Sequence, residues 1–223
     1  MMKHTSNNVE SSITLASVKL ADVKLANITK NNISKNNISK NNVAKNNVAK
    51  NNVAKNNVAK NNVAEVLIES PSFSFNCAHF IAYKGYKESL HGHNYNVSLK
   101  IKGSIQEDGY VIDFDILKKI VNDICKTLDH RFILPIYSDV LQIKEVHNNF
   151  EIICEDNSLY SFPQKDCVLI PIKHSSVEEI GQYILDKIIE SISLSFLKKK
   201  SVNYVEVSVG ESPTQKAILH QHI

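Results

Sequence analysis

The chain has 223 residues, 43% of them hydrophobic and 22% charged, which suits one medium domain with a real core plus a tail. No apolar run approaches the roughly 18 residues of a membrane span, and the opening MMKHTSNNVE has no apolar signal core, so neither a membrane nor a secreted protein is expected. The net charge of +3 is uneven: residues 1–64 carry +8, whereas residues 65–223 carry −5.

The basic part is a five-residue repeat. NNISK occurs twice from Asn31, NNVAK four times from Asn41, and NNVAE closes the run at Glu65. An apolar residue at every fifth position is also the pattern of pentapeptide-repeat proteins, which wind into a square β-helix. Here that helix would bury an asparagine two positions before most valines, and buried amides need partners. The composition favours an unordered Asn/Lys-rich tail over residues 1–64, with too little apolar surface to offset ordering. No arginine or aromatic residue interleaves the repeat lysines, so nucleic acid is not an expected partner. Cys77, Cys125, Cys154 and Cys167 form no CxxC and are read as reduced thiols of a cytoplasmic protein.

From Glu65 to Ile223 the sequence predicts one domain. SFSFNCAHF alternates, placing Phe73, Phe75, Cys77 and His79 on one face of a strand. Asn94 to Gly103 alternates again through Tyr95, Val97, Leu99 and Ile101. In DFDILKKIVNDICKTL, Leu117, Ile120, Val121, Ile124 and Leu128 have helical spacing, with Asp113 or Asp115 as N-cap. Residues 145–162 read as a hairpin turning at Glu155–Ser158. A second helix opens at Ser176, which forms a capping-box pattern with Glu179, and it buries Val177, Ile180, Ile184 and Ile188. VNYVEVSV is a last strand leading to Gly210 and Glu211. Strands, helix, hairpin, helix, strands describe an α+β fold, an antiparallel sheet with two helices on one face.

The segment ESLHGHNY carries the chemistry. Residues i and i+2 of a strand share a face, so His91 and His93 project together, with Gly92 between them. If the strand ending at His79 is a neighbour, a third imidazole completes the set. Three neutral histidines with an open fourth position suit a catalytic zinc ion. Spacing alone leaves a hydrogen-bonded pair of strand histidines equally open. His4, His147, His220 and His222 read as exposed or terminal.

Six motifs appear in order: FSFNCAHF, LHGHNYNVSLKIKG, DGYVIDFDILK, LDHRF, HSSVEEIG and SVGES. Together they resemble the 6-pyruvoyl-tetrahydropterin synthase family, which includes the bacterial 6-carboxy-tetrahydropterin synthases. The resemblance spans residues 65–223, apart from about 30 residues within 136–173 that look inserted. It implies the tunnelling fold, a homo-hexamer of two stacked trimers, active sites between subunits, and 7,8-dihydroneopterin triphosphate as substrate. It implies Zn2+ held by His79, His91 and His93, an Asp129–His130 pair for proton transfer, Glu211 anchoring the pterin, and a pocket role for Ser176. His130, Arg131 and Lys84 or Lys87 are candidates for holding the phosphates.

One departure matters. Family members that make pyruvoyl- or carboxy-pterins carry a cysteine just before the HGH motif, whereas YKGYKESLHGH has none and offers Glu88. The loop resembles a glutamate-bearing subclass associated with folate biosynthesis. A carboxylate, with a reference pKa near about 4.3 against about 8.5 for a thiol, is the weaker base. It suits removal of a proton from a metal-acidified hydroxyl better than from carbon. The expected enzyme is therefore a zinc-dependent lyase that cuts the substrate side chain to give 6-hydroxymethyl-7,8-dihydropterin. Pyruvoyl-tetrahydropterin formation by triphosphate elimination and a non-catalytic pterin-binding protein stay open as alternatives.

Overall fold

A computed structural model describes residues 62–223. The repeat, with both readings of it, otherwise lies outside the described residues. Strand β1 (Val63–Ile68) begins inside the last repeat unit and is followed by β2 (Ser74–His79). A small hairpin, β3 (Ala82–Tyr83) and β4 (Tyr86–Lys87), leads into the long strand β5 (His91–Ser104). The two alternating stretches of the sequence become neighbours here. β2 pairs antiparallel with the first half of β5, and β1 pairs with the second half. On the other side of β5 lie β11 (Val202–Ser212) and β12 (Gln215–His222), both antiparallel.

Helix α1 (Phe114–Leu128) is capped by Asp113, whose side chain accepts from Asp115 N. It buries the predicted stripe of Leu117, Ile120, Val121, Ile124 and Leu128, together with Cys125. Helix α2 (Val177–Ile192) packs beside it, burying Ile180, Ile184 and Ile188 as expected, plus Leu185, Ile189 and Ile192, whereas Val177, also expected inside, is only half-buried at the first turn. Gly181 lets α2 close on β12, because a Cβ there would meet Leu219 Cδ2 at 2.5 Å. A short third helix, α3 (Leu194–Lys199), follows, so the two-helix expectation falls one short. Helices and sheet enclose a core that includes Phe73, Phe75, Tyr95, Leu99, Ile101 and Val207.

The sheet is mainly antiparallel but not wholly so. β6 (Arg131–Pro135) joins β2 in parallel, and β10 (Cys167–Ile170) joins β6 in parallel, giving the order β10-β6-β2-β5-β11-β12. Parallel neighbours need a crossover rather than a turn. The chain supplies one through α1 and another through residues 136–166. That second crossover is no simple hairpin. β7 (Gln142–Val146), β8 (Asn149–Ile153) and β9 (Leu159–Pro163) form a three-stranded antiparallel sheet of their own. The predicted β8–β9 hairpin stands. β7 escaped because its two-residue turn, His147–Asn148, contains no glycine: His147 itself takes φ 55°. This insertion packs Phe150, Ile152 and Cys154 against Phe80, Phe132 and Leu134, a second core separate from the first.

Candidate active site

The strand register determines where the histidines meet. His79 lies directly opposite His91 across the β2–β5 pair, and Cys77 lies opposite His93. All three histidines point to the helix-facing side, just past the end of the core. One ring nitrogen from each falls within 4.8 Å of the others. Gly92 sits between them, where a Cβ would meet the Cys77 carbonyl oxygen at 3.0 Å, so the bare backbone lets β2 lie close.

Two rings are oriented by carbonyl groups. His79 Nδ1 lies 2.7 Å from Ser175 O, and His91 Nδ1 lies 2.8 Å from Ser89 O. Each nitrogen therefore donates its proton to a carbonyl, which turns the Nε2 lone pair towards the cluster. Burial, partly offset by the Ser175 contact, lowers the pKa of His79 and keeps that ring neutral. The lone pair of His79 Nε2 faces the Tyr95 hydroxyl at 3.2 Å, yet Tyr95 donates to Glu211 Oε1 at 3.0 Å. A phenol has one proton, so it cannot serve both acceptors. A cation beside His79 Nε2 resolves that shortage. A set of three imidazoles suits zinc or a similar transition metal and not magnesium or calcium, which take oxygen ligands.

Around this cluster the other expected residues take different positions. Glu88 precedes β5 and closes the β3–β4 hairpin: its N–H donates to Ile81 O at 2.9 Å, and its Oε2 accepts from Ile81 N at 3.0 Å. Glu211, near the end of β11, is tied to the cluster through Tyr95. Ser176 caps α2 by accepting from Glu179 N. Glu179 does not reach back to the Ser176 N–H as a capping box would. It accepts instead from Lys173 N, His174 N and His174 Nδ1. Asp129 accepts from Asn76 N at 2.8 Å, which pins the end of α1 to β2. His130 follows at φ 56°, its Nε2 3.5 Å from Asp129 Oδ2 and its side chain 80% exposed. Within one chain it points to solvent rather than at the histidines. Of the phosphate candidates, Lys84 is exposed, whereas Lys87 is turned onto the insertion and bonds Tyr160 OH at 3.1 Å.

Cys77 does not replace the missing loop cysteine. Burial, with Glu211 and Asp129 adding to it, pushes its thiol up to about 12. Such a group stays protonated and is a poor nucleophile. Sequence reasoning did not assign two contributors, Tyr95 and Ser175. Tyr95 was legible as the next member of the same face after His91 and His93. Ser175 acts through its backbone carbonyl, which no side-chain motif reveals.

Residues 69–222 match the 6-pyruvoyl tetrahydropterin synthase family. A putative 6-carboxy-5,6,7,8-tetrahydropterin synthase of Methanocaldococcus jannaschii is 33% identical over 156 residues, covering 67% of this chain and 90% of that protein. Dihydroneopterin monophosphate aldolase of Pyrococcus furiosus is 43% identical over a shorter 58 residues, 26% of this chain and 49% of that one. The crystal structure of 6-pyruvoyl tetrahydropterin synthase from Plasmodium vivax superposes with a TM-score of 0.71 at 69% identity, covering 72% of this chain and 99% of that one. A variant of that protein, solved with a catalytic glutamate replaced by alanine, matches at 68% identity.

Proposed function

The chain belongs to the 6-pyruvoyl tetrahydropterin synthase family of enzymes, and from that premise we propose that it is a zinc-dependent lyase acting on 7,8-dihydroneopterin triphosphate. It breaks the C1′–C2′ bond of the side chain and releases 6-hydroxymethyl-7,8-dihydropterin, a folate precursor. The observation that carries this reading is a carboxylate, Glu88, held three residues before His91 by its bonds to Ile81, in a loop that contains no cysteine. The aldolase name of one relative and the catalytic glutamate of another support it.

His79, His91 and His93 would hold the metal, which when bound acidifies a substrate hydroxyl that it touches. Glu211 accepts the paired N–H groups on the 2-amino and N3 edge of the pterin. Tyr95 holds that carboxylate in place from behind. Glu88 takes the proton of the 2′-hydroxyl, and C2′ becomes an aldehyde carbonyl as its bond to C1′ breaks. The electron pair left on C1′ spreads into the pterin ring and is quenched by a proton returned to C1′. The phosphates leave on the two-carbon aldehyde. We assign the proton return to the Asp129–His130 pair of a neighbouring subunit, since His130 faces outward from its own chain. That assignment goes with a hexamer of two trimers whose sites lie between subunits. Ser176, already the cap of α2, has a lesser role beside the pterin.

A second reading is pyruvoyl-tetrahydropterin formation by triphosphate elimination, favoured by the name of the Plasmodium vivax protein. Product identity decides between them. Zinc-loaded protein is incubated with 7,8-dihydroneopterin triphosphate and the pterin is identified by mass. Hydroxymethyl-dihydropterin is the expected product. Pyruvoyl-tetrahydropterin as the main product would overturn the carbon–carbon cleavage.

A further inference from the structure

The hairpin that ends in Glu88 is too small to hold its own shape. β3 and β4 have two residues each, and Gly85 turns between them at φ 77°. Isolated hairpins of any length are marginal in water, so one this short needs outside support. Its support comes from the insertion. Gly85 N donates to Glu155 Oε2 at 2.6 Å, and Lys87 Nζ donates to Tyr160 OH at 3.1 Å. Lys87 also lies 3.8 Å from Asp156 Oδ2 and over the rings of Phe80 and Tyr160, at 5.7 and 5.3 Å. Phe80 and Tyr160 stack on each other with centroids 5.1 Å apart. Phe80 directly follows His79, and its carbonyl accepts from Ser175 Oγ at 2.7 Å. The insertion therefore grips the hairpin at Lys87, next to Glu88, and the chain just before it at Phe80, next to a metal-ligand candidate.

We infer that the β7–β9 insertion is a brace for Glu88, with Lys87 as the positioning residue that transmits it. The inference rests on Glu88 acting in the proposed reaction. Both Glu88 bonds to Ile81 form only while residues 82–87 keep their turn, and the insertion holds that turn at two points. An ångström of drift in a catalytic carboxylate can cost about a hundredfold in rate. A mere crossover between β6 and β10 would not need an ammonium set over two stacked rings, one beside the histidine cluster and one from the insertion.

The test pairs Lys87→Met, which keeps the apolar stem, with Tyr160→Phe, which keeps the ring. Amide hydrogen exchange over residues 80–90 is read beside steady-state kinetics of the zinc-loaded enzyme. Exchange of the Ile81 amide is expected to quicken about tenfold in each variant, because the local opening that frees it becomes easier. kcat is expected to fall about tenfold with KM within about twofold, and the thermal midpoint to hold. Lys87→Arg, which can still stack and donate, is expected to recover most of both. Unchanged exchange overturns the brace, and so does faster exchange with kcat intact. If Glu88→Ala is as active as the parent, the functional reading falls, and the exchange measurement alone then decides whether the insertion holds Glu88.

Discussion

At the scale of single residues, the site is a set of imidazoles and carboxylates whose partners fix their roles. Glu88→Ala is expected to lower kcat by about a thousandfold, the usual size of a lost general base, with bound zinc unchanged. A near-normal kcat would remove Glu88 from the chemistry. Tyr95→Phe keeps the stack on Phe75, at 4.8 Å, but deletes the hydroxyl that holds Glu211. Hydrogen bonds to charged groups contribute about 1.5–3 kcal/mol, so KM for the pterin should rise about tenfold or more with a smaller change in kcat. Cys77→Ala should leave kcat within about twofold and lower only stability, because a buried protonated thiol has packing to lose and no chemistry. The histidines were legible because i, i+2 spacing on a strand is a geometric statement. Spacing did not reveal their tautomers, which depend on carbonyl groups of Ser175 and Ser89. Nor did Lys87 in a lysine-bearing loop show that its charge would be used internally.

At the scale of elements, α1 was legible almost residue for residue, since its apolar stripe is regular and Asp113 caps it. α2 was legible except at its start. There Ser176 caps as expected, while Glu179 serves the preceding loop. Ser176→Ala should cost about 1 kcal/mol, seen as a thermal midpoint lower by a few degrees. Burial pushes the Glu179 carboxyl up, but bonds from the His174 N–H and ring and the Lys173 N–H outweigh it and hold it below the usual carboxylate value. A depressed folded pKa contributes stability that is present above the unfolded value, near about 4.3, and is lost as pH falls through the folded value. The chain should therefore lose stability more steeply than Glu179→Gln below about pH 4.3. Identical acid-unfolding profiles would show that the Glu179 bonds carry no net weight. The parallel β6 and β10 were not legible, because alternation marks a strand without marking its direction. β7 was hidden for other reasons, its glycine-free turn and its composition: QIKEV is short and charged, and its pairing with β8 makes it a strand.

At the scale of the whole molecule, the fold and the metal cluster have separate foundations. Of the three histidines only His79 is buried, against Tyr95 at the edge of the main core, whereas His91 and His93 are half-buried beyond it. Chelation should abolish turnover while leaving far-ultraviolet circular dichroism unchanged, and about one zinc per chain should restore it. Collapse of secondary structure on chelation would make the metal structural instead. Because β1 begins at Val63 and Asn62 O accepts from Ile105 N, a deletion meant to test the tail should end at residue 61. That deletion is expected to leave turnover unchanged. No helix among the described residues is long and apolar enough to cross a membrane.

The contact between His79 Nδ1 and Ser175 O joins residues 96 positions apart. On the ribosome, His79, His91 and His93 emerge long before Ser175 does. Until then nothing selects the tautomer of His79, and β11, which flanks the other side of β5, does not yet exist. Zinc can meet the nascent histidines, but the oriented set that favours it forms only near the end of synthesis. A metal would thus find its oriented ligands only late, and a chain cut short before residue 175 should bind zinc more weakly while still containing every ligand.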